Sequence, residues 1–178
     1  MAKILKRFII NSLQITLILA AVIAVTNFFL GELLIVTGSS MYPTLKDQEQ
    51  IIGEKVSLDF EPPQRNEIVI AKNHNKGILV IKRVIGLPGE TIKIQEGNVY
   101  INNEKLAEPY TKGQKTKAGQ ALEEGKSYEI PENSYVLLGD NRKESIDSRK
   151  WGFMPLEDIT SRAILVYYPV KNFRFIKD

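Results

Sequence analysis

Gly77-Ile78-Leu79-Val80-Ile81-Lys82-Arg83-Val84-Ile85-Gly86 is the most apolar stretch of the chain beyond its first thirty residues. Read as a β-strand, it puts Ile78, Val80, Lys82 and Val84 on one face and Leu79, Ile81, Arg83 and Ile85 on the other. Both faces are apolar, which predicts a strand buried on both sides of its sheet. Lys82 and Arg83 then lie inside a run that otherwise reads as core. One account has each of them snorkelling to an edge or pairing with a carboxylate. The other is chemical and concerns Lys82: an ammonium packed among aliphatic side chains loses hydration, so its pKa falls. A fall of about three units from the ordinary value near 10.4 would make it a general base near neutrality.

Outward from this strand the pattern stays short and mostly two-residue in period. Residues 50–56, 67–71, 91–94, 98–101, 134–138 and 162–168 read as strands, and 33–36 as an apolar strand nearer the N-terminus. Pro62-Pro63, the polar loop Asn73-His74-Asn75-Lys76-Gly77 and the turn Asn102-Asn103 punctuate them, and 155–159 suits a single helical turn. Short strands at this spacing predict a mainly β fold, an antiparallel β-sandwich or barrel-like domain. Residues 105–126, rich in Lys, Glu, Gly and Gln, read as a solvated polar excursion. There is no internal repeat.

Residues 8–30 form an apolar run with no charge, long enough to cross a bilayer as a helix. Lys3, Lys6 and Arg7 precede it and Glu32 is the first charge after it, so the positive-inside bias orients the chain. The expected organisation is a cytoplasmic segment at 1–7, a transmembrane helix at 8–30 and an extracytoplasmic β-rich domain at 31–178. A retained anchor is favoured over a cleavable signal because the run is longer than a signal core and lacks a close small-x-small site. About ten residues separate Leu30 from Ser40, so that linker spans at most roughly 35 Å and keeps Ser40 near the membrane surface.

The 178 residues suit one domain with an appendage. The net charge of +3 is spread among both signs, with no basic block interleaved with aromatics to indicate nucleic acid. There is no cysteine, which removes disulfides, thiol nucleophiles and zinc-thiolate sites. The single histidine, His74, lies in the polar loop and reads as an exposed loop residue. A hydrolase built on this chain needs a base other than imidazole. Just past the apolar run, Gly38-Ser39-Ser40-Met41-Tyr42-Pro43-Thr44-Leu45 offers a serine in a compact turn. Serines beside glycine and proline are mostly turn formers; beside a desolvated lysine, the same hydroxyl becomes a Ser-Lys nucleophile.

Several blocks, in order, resemble the bacterial type I signal peptidases. Ser40-Met41-Tyr42-Pro43-Thr44-Leu45 is similar to the family's serine box, and Lys82-Arg83-Val84-Ile85-Gly86-Leu87-Pro88-Gly89-Glu90 to its lysine box. Gly139-Asp140-Asn141, followed by Ser145, Asp147-Ser148-Arg149 and Trp151-Gly152, resembles the third box, and Asn66-Glu67-Ile68-Val69 is a looser match to a strand box. The resemblance spans nearly the whole chain and looks like the single-anchor, Gram-positive-like form. It implies Ser40 as nucleophile, Lys82 as general base, Ser145 as a hydrogen-bonding partner of the lysine amine, and Asp147 with Arg149 as a stiffening ion pair. It implies the Ser40 backbone N–H as oxyanion donor. Many members carry a hydroxyl two residues before the nucleophile; Gly38 stands there, which leaves the second donor open between a backbone group and water.

The function implied is a membrane-bound serine endopeptidase that removes signal peptides from secretory preproteins, with small residues before the cut and no metal, nucleotide or organic cofactor. Membrane lipid is the expected surrounding, nucleic acid is not a partner, and oligomeric state is not readable. Two rivals are a soluble self-cleaving repressor with a Ser-Lys site, disfavoured by the apolar run, and a tethered β domain that only binds.

Overall fold

The structure, a computed structural model, describes residues 2–73 and 77–177, with side chains of the N-terminal helix described at positions 6, 7 and 9–22. The loop-histidine expectation at His74 lies outside the described residues. Helix α1 (Ala2–Leu30) contains no glycine or proline, and its long apolar residues sustain it. All its described side chains are exposed. Among the described residues no helix is long and apolar enough to cross a membrane; side chains 23–30 of the expected span lie outside the described residues.

The rest is mainly β. Strands β1 (Glu32–Ile35), β2 (Gln50–Glu54), β3 (Ile68–Asn73) and β4 (Ile78–Gly86) are followed by β5 (Thr91–Gln95), β6 (Asn98–Ile101), β7 (Glu104–Lys105) and β8 (Ser127–Glu129). Then come β9 (Ser134–Leu138), helix α2 (Ser148–Trp151), β10 (Met154–Pro155), β11 (Ile159–Tyr168) and β12 (Arg174–Phe175). The large sheet runs β1-β2-β11-β3-β4-β9-β10 with β12 paired to β11, and the small one β7-β6-β5-β8. Every pairing between these strands is antiparallel.

Alternation along β3 shows how the large sheet is buried on two sides. Ile68 and Ile70 pack with Met41, Leu45 and Ile51, whereas Val69 and Ala71 pack with Val84, Tyr135 and Leu137. A third cluster joins the two sheets: Ile85, Val136 and Leu138 from the large one meet Ile92, Ile94 and Val99 from the small one. Burying apolar surface at about 25 cal/mol per Å² is what holds these layers together.

Strand β4 departs from its prediction in one half. It is buried from Lys82 onward, but Ile78 and Leu79 are exposed. Strand β9 pairs with β4 only from Arg83, so one edge of the 78–82 half has no strand beside it among the described residues. The second departure is the 105–126 segment, which is packed rather than solvated: Leu122 is buried in the joint between the sheets, and Thr111 and Thr116 are buried too. Glu108 within it pairs with Arg142 of a neighbouring loop, a match that composition does not reveal.

Candidate active site

The serine turn is held by its own apolar residues. Met41 and Leu45 sink into the core beneath β2 and β3, and the Tyr42 N–H donates to the Ser39 carbonyl at 3.0 Å. That leaves Ser40 half-buried at the rim. Two further contacts pin the turn from opposite sides. The Asn141 N–H donates to the Ser40 carbonyl at 3.0 Å, and Asn141 Nδ2 to the Ser39 carbonyl at 3.2 Å. From the far end of the chain, Arg174 Nη2 donates to the Thr44 carbonyl at 2.6 Å while pairing with buried Glu49.

Lys82 enters from the adjoining strand, opposite Val69 in register. It is 4% exposed. Its Nζ lies 2.9 Å from Ser40 Oγ and 2.9 Å from the Ile81 carbonyl. Burial pushes the amine down to about 8; the carboxylates of Asp147 and Asp140 oppose that fall, and the Arg149 guanidinium assists it. The fold therefore places a desolvated amine beside a serine oxygen; alternation raised the dry lysine as one of two accounts, and the resemblance paired it with Ser40.

Arg83 follows the bland alternative for a charge inside a strand. Its Nε and Nη2 donate to the two oxygens of Asp140 at 2.8 Å each, with both side chains buried. Asp140 also accepts from Thr44 Oγ1 at 2.5 Å. One carboxylate thus ties together the serine turn, the lysine strand and the 139–141 turn. Asp147 and Arg149 pair as the resemblance implied, at 2.7 Å, and Asp147 Oδ2 accepts from the Gly139 N–H at 3.0 Å. Buried, this is no longer the weak pair of a solvated loop.

Ser145 does not make its implied bond to Lys82. Its Oγ is buried without a hydrogen-bond partner, and the bonds of the Lys82 amine go to Ser40 and the Ile81 carbonyl. Ser145 is nonetheless in the site's wall. A Cβ on Gly139 would meet Ser145 Oγ at 2.2 Å and the Ser40 carbonyl oxygen at 2.5 Å, so only glycine lets the two loops close here. The Ser40 N–H has no partner among the described residues, as an oxyanion donor requires. The Gly38 N–H is already given to Asp47 Oδ1 at 2.7 Å, and Gly38 carries φ +86°.

The segment at 105–126 supplies parts that sequence reasoning missed. Glu108 pairs with the buried guanidinium of Arg142, whose Nε donates to the Gly139 carbonyl at 3.0 Å. Tyr110 lies under Arg83, with the guanidinium carbon 4.2 Å from the ring centre. The Ala121 N–H donates to the Arg149 carbonyl at 3.0 Å. Thr44, Asp140 and Arg142 stood in or beside the quoted boxes, but nothing marked Glu108 or Tyr110. A cleft of about 250 Å³ opens beside Ser40 and Lys82, lined by Gly38, Ile78, Val80 and Ile146 among others. Among the described residues no three Asp, Glu or His side chains gather to hold a metal.

The sequence matches the family described as "Signal peptidase, peptidase S26" over residues 9–168. It is 37% identical to a probable signal peptidase I-2 of Synechocystis sp., over 92% of this chain and 75% of that protein. It is 38% identical to signal peptidase I U of Bacillus subtilis, over 93% and 90% of the two chains. A crystal structure of a signal peptidase I from Enterococcus faecalis V583 superposes with a TM-score of 0.50 at 33% identity, covering 57% of this chain and 97% of that one. The chain belongs to the signal peptidase I family of serine peptidases and is a peptidase.

Proposed function

We propose that Ser40 and Lys82 form a catalytic dyad that cuts N-terminal signal peptides from exported preproteins at the outer face of a membrane. The 2.9 Å approach of a buried amine to the serine oxygen carries this reading. The amine must first be neutral; then Ser40 Oγ–H donates to the Nζ lone pair. As Oγ attacks the scissile carbonyl carbon the proton passes to Nζ, and the oxyanion faces the Ser40 N–H. Nζ returns the proton to the departing amine, leaving an acyl-enzyme. Water then gives a proton to Nζ, attacks the ester, and restores Ser40 as the proton goes back to its oxygen.

Two strand edges frame the entry to Ser40. The outer edge of β1 and the 78–82 edge of β4 have no strand partner among the described residues, and both line a cleft that reaches Ser40. An extended signal-peptide segment would satisfy those backbone groups as an added strand. Helix α1, in this reading, is the anchor at 8–30, with 1–7 cytoplasmic and 31–178 outside. Its exposed apolar side chains need lipid around them.

The test is incubation of the full-length protein in detergent with a model preprotein, read by mass spectrometry. Wild type should release a single mature chain, and Ser40→Ala and Lys82→Ala should each release none. Cleavage that survives Lys82→Ala overturns the dyad.

A further inference from the structure

We infer that a lysine-rimmed cleft behind the 143–147 loop holds acidic side chains of the mature part of the preprotein, a few residues past the cut. This rests on the proposed cleavage reaction and adds a determinant of which substrates are cut fast. Alternate residues of one short loop face two different hollows. Glu144 and Ile146 line the cleft at Ser40, whereas Lys143, Ser145 and Asp147 line a second cleft of about 380 Å³. The partition between them is a single chain thick, and Ser145 within it packs against Gly139, itself in contact with the Ser40 carbonyl.

The second cleft is strongly positive. Arg142 and Arg149 reach it with their charge already matched by Glu108 and Asp147. Lys115, Lys117, Lys143 and Lys150 also line it, and none has an ion-pair partner among the described residues. Four unmatched cations line this one cleft in a chain whose net charge is only +3, which gathers positive charge on this face.

Its position selects the ligand. A peptide leaving Ser40 advances about 3.3 Å per residue when extended, so positions three to six beyond the cut lie about 10–20 Å away, long enough to clear a partition one chain thick. Carboxylates there meet the four ammonium groups. A lipid headgroup is the other anion within range of a membrane enzyme, but the exposed apolar residues suited to lipid, Leu33 and Ile35 on β1 with Phe173 and Phe175 near the C-terminus, do not line this cleft.

The experiment uses the full-length protein in detergent and two peptides identical up to the cut, carrying Asp and Glu or Asn and Gln at positions three to six after it. At low salt, kcat/KM should favour the acidic peptide by about tenfold, and the ratio should fall towards one as salt screens these exposed charges. Lys143→Gln with Lys150→Gln, which removes two of the four ammonium groups, should cut the preference to about threefold while cutting the neutral peptide at the wild-type rate. Lys72→Gln with Lys171→Gln, placed elsewhere, should preserve it. Equal kcat/KM for both peptides in wild type, or a preference undiminished in the first double variant, overturns the inference while leaving the cleavage reading intact. If neither peptide is cut by wild type, that reading falls and the inference with it. Phosphatidylglycerol vesicles separate the lipid alternative: a double variant that loses vesicle binding but keeps the peptide preference also overturns it.

Discussion

In the proposed reaction Lys82 works by being dry, and its dryness has measurable signs. With the amine held at about 8, the neutral fraction grows about tenfold per pH unit below that value. In the proposed reaction kcat/KM should therefore rise with slope near one from pH 6 to about 8 and then level, measured on a peptide substrate. Lys82→Arg should be inactive across the range, because guanidinium holds its proton. Stability follows the same shift. Between about 8 and 10.5 the unfolded chain still binds a proton that the folded one has released, so wild-type stability rises with pH through that window. Lys82→Met removes the dependence. It should be more stable than wild type by on the order of 1–3 kcal/mol at pH 7, and the gain should vanish near pH 10.5, as read from denaturant melts. Asp140 is the opposite case: Asp140→Asn strands the buried guanidinium of Arg83 and should cost about 3–5 kcal/mol, visible in the same melts. Of these residues, Lys82 was legible because its strand is apolar on both faces. The Arg83 partner was not, since it lies 57 residues away and no local pattern points to it.

At the scale of elements, β4 and the 105–126 segment divide the labour. Strand β4 is a core strand in its second half and an open edge in its first, and Lys82 marks the change. Alternation predicted the faces of this strand correctly but could not show where its neighbour stops. The 105–126 segment looked solvated because its residues are polar, yet it wraps the 139–149 loop through Glu108 and Ala121 and covers Arg83 of β4 with Tyr110. Glu108→Gln should loosen that wrap. It leaves the Arg142 guanidinium buried without a countercharge, and the expected loss is about 2–4 kcal/mol in a denaturant melt, with kcat falling more than KM rises. Tyr110→Phe should keep the stack on Arg83 and retain most activity, while Tyr110→Ala should not. Measuring both variants on one peptide separates ring packing from the hydroxyl.

For the molecule as a whole, the joint between the sheets makes the loops of the candidate site depend on the small sheet. Ile94 lies in the cluster with Ile85, Val136 and Leu138. Ile94→Ala should cost about 2–5 kcal/mol, and far-UV dichroism and Trp151 fluorescence should still report one coincident transition. Two separated transitions would show that the sheets fold independently. The sequence by itself determined the β character, the odd charge in a buried strand, the serine turn and the order of the boxes. Each of these is local: period, glycine and proline placement, and apolar runs are set within a few residues. Only the tertiary structure decided that Asp140 joins three segments, that Ser145 makes no bond to Lys82, and that a polar segment packs over the site. Those outcomes depend on which charges meet after burial, when an unpaired ion becomes costly and the chain must bring its partner from wherever it lies.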